Sequence, residues 1–180
     1  MPSILLMGIK HSGKSSHARR LSDDLGCAFY DLDDLIESTY RADQLLSCRE
    51  IYNRHGKEYF FEIEAEAARV LRRTLLKQTA VAALGGGTGE NTQAMGELSD
   101  AGILVYLRLS AETLFDRIMR KGLPAFLPED DPESAFRELY DRRHVRYMGY
   151  ADVVAEIDGM SPDDAYSRLQ SVISEYIDAR

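Results

Sequence analysis

The segment Gly8-Ile9-Lys10-His11-Ser12-Gly13-Lys14-Ser15 has the residue types and spacing of a phosphate-binding loop. Glycines let backbone N–H groups wrap around phosphate oxygens where a Cβ would collide. A lysine at the sixth position after the first glycine reaches the outer phosphates, and the serine after it can ligate Mg²⁺. Two further groups could join this chemistry. Asp31-Leu32-Asp33 ends an apolar stretch; strand alternation would send Asp31 and Asp33 to one side, where two carboxylates could hold Mg²⁺ through water and take a proton from an attacking hydroxyl. The alternative is that Asp33 or Asp34 caps the next helix. Gly85-Gly86-Gly87 directly follows another apolar run, leaving bare amides where a ligand can approach.

These residues must be positioned by alternating strands and helices. Ser3 to Met7 reads as a buried strand ending at Gly8, and Ala18, Leu21 and Leu25 fall on one helical face with Gly26 as its C-terminal cap. Ala28 to Asp31 is predicted to be a strand, followed by a helix with Leu35, Ile36 and Tyr40. Phe60, Ile63, Ala67, Leu71 and Leu75 mark a long amphipathic helix. Ala80 to Leu84 and Ile103 to Leu107 are further buried strands, and Ser110 caps a helix through Phe115 and Arg117 to Met119. The stretch at about 120–132, with three prolines and no period, is a candidate lid. Glu133 to about Tyr150 is helical, with Phe136, Leu139 and Val145 as core contacts. Val153 to Ile157 is the last strand, and Ser161-Pro162 opens a helix carrying Leu169, Val172, Ile173 and Tyr176. The expectation is one α/β domain over residues 1–180: a three-layer α/β/α sandwich around a mostly parallel five-stranded sheet.

Composition narrows the partners. A formal net charge of −8 speaks against a binder of nucleic-acid backbones, whereas a nucleotide needs only a few placed cations. No apolar run approaches the roughly 20 residues that span a bilayer, so a cytoplasmic protein without membrane partner is expected. The chain is also expected to be a monomer. Cys27 and Cys48 form no metal or redox motif and read as reduced thiols.

Taken together the motifs resemble the shikimate kinase family nearly end to end: the phosphate-binding loop, Phe29-Tyr30-Asp31-Leu32-Asp33 with Ile36-Glu37, Glu50-Ile51 ahead of Gly56, Phe60 with Glu64, the glycine triplet, Val105-Tyr106-Leu107, and Arg143, Tyr147, Ala151 and Asp152 in an R-x-x-x-Y-x-x-x-A-D pattern. The resemblance implies ATP-dependent phosphorylation of the 3-hydroxyl of shikimate, with Mg²⁺. It implies that Gly8, His11, Ser12, Gly13, Lys14, Ser15 and Ser16 hold ATP, with Arg117 over the adenine and Pro162 bordering it. Lys14 and Asp33 would be catalytic, Asp33 binding the acceptor hydroxyl as base or orienter. Ser15 and Asp31 would serve the metal. Phe60, Gly85, Gly86, Gly87 and Arg143 would line the acceptor, Arg143 pairing with its carboxylate. Without the resemblance, Arg117 and Arg143 read as solvated helix charges.

Three departures bear on the acceptor. Phe61 stands where the family has the second carboxylate-gripping arginine. Leu123-Pro124-Ala125-Phe126 replaces an R-P-L-L lid segment, leaving Arg120 or Lys121 as substitutes. Inside the loop, His11 replaces a glycine and Lys10 an apolar residue; Lys10 either restores the charge missing at Phe61, selects a different anion, or points to solvent. Alternatives are therefore a kinase of another small acceptor, such as a sugar acid or nucleoside monophosphate, or a nucleotide-binding regulator that lost phosphoryl transfer.

Overall fold

Five short strands, β1 (Ile4–Met7), β2 (Ala28–Asp31), β3 (Ala80–Ala83), β4 (Ile103–Arg108) and β5 (Val153–Glu156), form a sheet in the order β2-β3-β1-β4-β5, every pair parallel. The computed structural model describes residues 1–40, 46–120, 122–123 and 127–180. Strands β1 and β3 are buried along their whole length, as continuous apolar runs are when helices cover both faces. The helices are α1 (Lys14–Leu25), α2 (Leu32–Thr39), α3 (Cys48–Leu75), α4 (Thr92–Leu98), α5 (Ala111–Met119), α6 (Pro132–Tyr150) and α7 (Pro162–Asp178), and a 3₁₀ turn covers Thr88–Glu90. No helix of the described residues is long and apolar enough to cross a membrane.

Local chemistry accounts for the boundaries. Gly26 ends α1 in the left-handed conformation at φ 61°, Ser47 and Glu50 form a capping box on α3, and Ser110 and Ser161 cap α5 and α7. Gly56, at φ 84° and ψ −179°, breaks α3 into two helical stretches.

Some expectations need correction. Val145 is 70% exposed and is no core contact; Phe136, Tyr140 and Tyr147 are the buried residues of that helix. Tyr40 is the C-cap of α2 rather than part of it. Leu84 and Ile157, expected within strands, are buried just beyond them. The turn Thr88–Glu90 and α4 were not predicted, because seven residues are too few to display a helical period. The cue present is Asn91, whose side chain accepts from the N–H groups of Gln93 and Ala94.

Register brings the chemistry together. Leu6 lies level with Ala83, and Ala83 level with Asp31. The phosphate loop, the Asp31 turn and the glycine triplet therefore leave three neighbouring strands at one carboxyl edge. From β1 the chain runs outward to β2, and from β3 it crosses β1 to reach β4. Such a reversal of direction opens the crevice in which doubly wound sheets bind ligands.

Candidate active site

The loop between β1 and α1 is shaped by close approaches. A Cβ on Gly8 would lie 2.9 Å from the Leu107 carbonyl, and Gly13, at φ 92°, caps α1. His11 holds φ 68°, left-handed backbone that glycine adopts without cost and other residues adopt at about 1–2 kcal/mol. Ser12 Oγ is buried in the loop without a hydrogen-bond partner among the described residues, and Lys14, only 8% exposed, donates from Nζ to the Ile9 carbonyl at 3.1 Å. Burial pushes the Lys14 ammonium down to about 8, against the opposing pull of Asp33 and Asp31. An orphaned hydroxyl and a costly buried cation inside one glycine loop fit a polyphosphate.

Ser15 Oγ donates to Asp31 Oδ2 at 2.7 Å, so the two expected metal residues are in contact. Asp31 Oδ1 accepts from the Asp33 N–H and is the N-cap of α2. The cap is thus neither Asp33 nor Asp34. Asp33 is not a strand residue either; it sits in the first helical turn and reaches the cleft from there. A Cβ on Gly85 would stand 2.9 Å from Asp33 Oδ1. Crowding by protein, then the charge of Asp31, raises the Asp33 carboxyl above its usual range, while Lys14 and Lys10 pull the other way.

The glycine triplet is a junction. A Cβ on Gly86 would stand 2.9 Å from the Lys10 nitrogen, and one on Gly87 3.2 Å from Arg143 Nη2. Arg143 is held, not solvated: Nη1 donates to the Gly86 carbonyl at 2.9 Å, Nε to Glu90 Oε2 at 2.8 Å, and Tyr147 Oη shares the Gly86 carbonyl at 2.8 Å. Glu90 also accepts from Arg142 at 2.8 Å. Burial raises its carboxyl, but the two arginines outweigh that and leave it lowered. Buried Glu64 accepts from Thr88 Oγ1 at 2.7 Å and Asn91 Nδ2 at 2.9 Å, tying α3 to the segment after the triplet. Sequence reasoning missed Glu90: an isolated acid after a glycine run carries no signal until α6 is packed against it.

On the opposite side of the loop, Arg117 Nη1 donates to the His11 carbonyl at 3.2 Å, so it too is held. Pro162 opens α7, whose Asp163 pairs with Arg20 of α1 at 2.7 Å and whose Tyr166 stacks on His17. Ser16 is exposed on the first turn of α1. Phe60 is half-buried against the core and packs edge-on to Tyr52. Phe61 is half-buried beneath Lys57, whose Nζ lies 5.2 Å from the ring centroid. Arg120 is exposed at the end of α5 and Leu123 is 39% exposed, while Lys121 and Pro124-Ala125-Phe126, hence part of the expected lid, fall outside the described residues.

The shikimate kinase family model matches residues 10–178. The chain belongs to the shikimate kinase family. It is 35% identical over 156 residues to a shikimate kinase of Chlamydia pneumoniae, covering 87% of this chain and 86% of that one, and 33% identical over 159 residues to one of Pseudoalteromonas atlantica, covering 88% and 89%. Among solved structures it resembles the Acinetobacter baumannii shikimate kinase in complex with shikimate, with TM-score 0.76 and 28% identity over 97% of this chain and 94% of that one. The Aquifex aeolicus shikimate kinase gives TM-score 0.74 and 25% identity over 96% of each. Membership of the shikimate kinase family makes this chain an ATP-dependent kinase, with ATP as its phosphate donor.

Proposed function

We propose that this kinase transfers the γ-phosphoryl group of ATP to the 3-hydroxyl of shikimate. The carrying observation is that Ser15 of the phosphate loop contacts Asp31 while the glycine triplet abuts Asp33, Lys10 and Arg143 in turn, so phosphate-gripping, acceptor-orienting and carboxylate-reading groups share one crevice. The similar Acinetobacter baumannii enzyme is known in complex with shikimate, which supports this acceptor.

Phosphoryl transfer asks the protein mainly for positioning and charge stabilisation. The backbone of Gly8 to Ser16 cradles the phosphates, Ser12 offers its free hydroxyl, and Lys14 neutralises charge developing on the outer phosphates. Arg117 and Pro162 flank the adenine. Ser15 and Asp31, two adjacent oxygen donors, suit Mg²⁺, which takes few protein ligands and completes its shell with phosphates and water; bound there it would draw off phosphate charge. Asp33 accepts the proton of the acceptor hydroxyl. Its raised pKa brings it closer to the working range of a general base. Arg143, braced by Glu90, Gly86 and Tyr147, faces the acceptor carboxylate, and the amides of Gly85 to Gly87 with Phe60 border the acceptor.

The test is release of ADP on adding shikimate, gluconate and related hydroxy acids, with the product located by ³¹P NMR. Turnover with shikimate, giving a 3-phosphate ester, is expected. Turnover with a different acid only would sink the assignment of the acceptor and leave the kinase intact.

A further inference from the structure

The acceptor side of the crevice is short of uncommitted positive charge. A guanidinium has five N–H donors. Arg143 directs Nε and Nη2 at Glu90 Oε2, each at 2.8 Å, and Nη1 at the Gly86 carbonyl. Glu90 divides its own charge between Arg142 and Arg143. Asp31, Asp33 and Glu64 add negative charge around the same glycines. Phe61 contributes a ring to this part of α3, and Lys57 lies over that ring. An acceptor carboxylate entering beside Asp33 would meet several carboxylates and one partly engaged arginine.

Lys10 alters that balance. Its backbone nitrogen, Cα and Cβ would lie 2.9, 3.2 and 3.2 Å from a Cβ on Gly86, so it is rooted against the middle of the triplet. Gly85 abuts Asp33, Gly86 abuts Lys10, and Gly87 abuts Arg143. Three successive glycines thus bring the acceptor-side groups into one row, with the tightest backbone approach at Gly86. Lys10 is exposed, and its ammonium has no hydrogen bond or ion pair among the described residues. Its charge bears on both Asp33 and Lys14.

We propose that Lys10 is a specificity-determining residue whose ammonium, together with the remaining donors of Arg143, grips the carboxylate of the acceptor, so that the loop holding ATP also reads the acceptor's charge. This rests on the reading of the chain as a kinase of a hydroxy acid. Lysine suits this role, because a compact charge on a flexible stem can follow a carboxylate that Arg143 can engage through only part of its fork.

The experiment is steady-state kinetics of the wild type, Lys10→Met and Lys10→Arg, varying shikimate and ATP separately, with thermal melts confirming that each variant folds. Loss of one charge-assisted contact is expected to raise the shikimate KM about tenfold in Lys10→Met. The ATP KM should stay within about twofold, and Lys10→Arg should stay near the wild type. Raising the salt should narrow the gap between wild type and Lys10→Met, as screening requires. An unchanged shikimate KM in Lys10→Met overturns the proposal while leaving the kinase reading intact, and so does a parallel rise in the ATP KM, which would make Lys10 a phosphate ligand. A wild type inert towards shikimate and other hydroxy acids removes the kinase reading and this proposal with it.

Discussion

Asp33 does its work through the residues that crowd it. If it receives the acceptor proton, Asp33→Asn should lower kcat by about 10²–10⁴. The rate should fall with decreasing pH as Asp33 is protonated, and that limb should lie above the usual carboxylate range, because crowding and the Asp31 charge both favour the neutral acid. Asp31→Asn removes the neighbouring negative charge, so the acid limb should move to lower pH; activity should fall as well if Asp31 serves Mg²⁺ as proposed. A pH profile of kcat/KM for both proteins checks this, and an acid limb that stays put or moves up refutes it. The identities of these two aspartates were legible in the sequence, but their division of labour was not. Strand alternation put both carboxylates on one side, whereas Asp31 caps α2 and Asp33 points into the crevice from the first helical turn. A two-residue shift from strand to helix leaves no periodic trace.

Among the elements, two glycines in different settings separate strain from collision. Gly56 breaks α3 at φ 84° and ψ −179°, and a Cβ there would meet nothing within 4 Å. Gly56→Ala should therefore cost about 1–3 kcal/mol purely through backbone strain, read as a lower urea midpoint with an unchanged slope. Gly86 has an ordinary φ but faces the backbone of Lys10 at 2.9 Å. Gly86→Ala should push the triplet away from the phosphate loop and raise the ATP and shikimate KM values together. Gly87→Ala meets only the Arg143 guanidinium at 3.2 Å, a side chain that can yield, so its effect should be confined to shikimate. Equal kinetic effects of the two would show that backbone and side-chain neighbours are equivalent here and would overturn the distinction. The five strands and the long helices were readable from apolar runs and caps, because burial on both faces leaves continuous hydrophobic stretches. What stayed hidden depends on packing between elements. Val145 fits a helical period yet lies on an open face of α6, and α4 is too short to show one. The hold of Glu90 on Arg143 exists only once α6 lies across the 3₁₀ turn.

For the molecule as a whole, the phosphate loop exchanges stability for function, and Lys14 carries much of that exchange. Burial lowers its pKa from 10.5 to about 8, although Asp33 and Asp31 favour the charged form. A shift of that size corresponds to a cost of about 3 kcal/mol for keeping the charge at neutral pH. The sign follows from proton binding: between about pH 8 and the unfolded value the unfolded chain holds more protons than the folded one, so stability from this group rises with pH through that window and is lowest below it. Lys14→Met removes the buried charge while keeping an unbranched side chain, so the variant without ligand should melt a few degrees above the wild type at pH 7, despite losing the bond to the Ile9 carbonyl. ATP should reverse the order. A ligand at about 100 times its Kd adds about 2.7 kcal/mol to the form that binds it. For a chain of 180 residues that is a rise of roughly 5–10 °C in the wild type. Lys14→Met should show little of this rise, having lost the cation that receives the outer phosphates. Melting both proteins with and without Mg²⁺ and a non-hydrolysable ATP analogue tests both expectations at once. A Lys14→Met protein that melts below the wild type when free, or that gains as much from the nucleotide, would mean that Lys14 is structural and that phosphate affinity resides in the loop backbone alone.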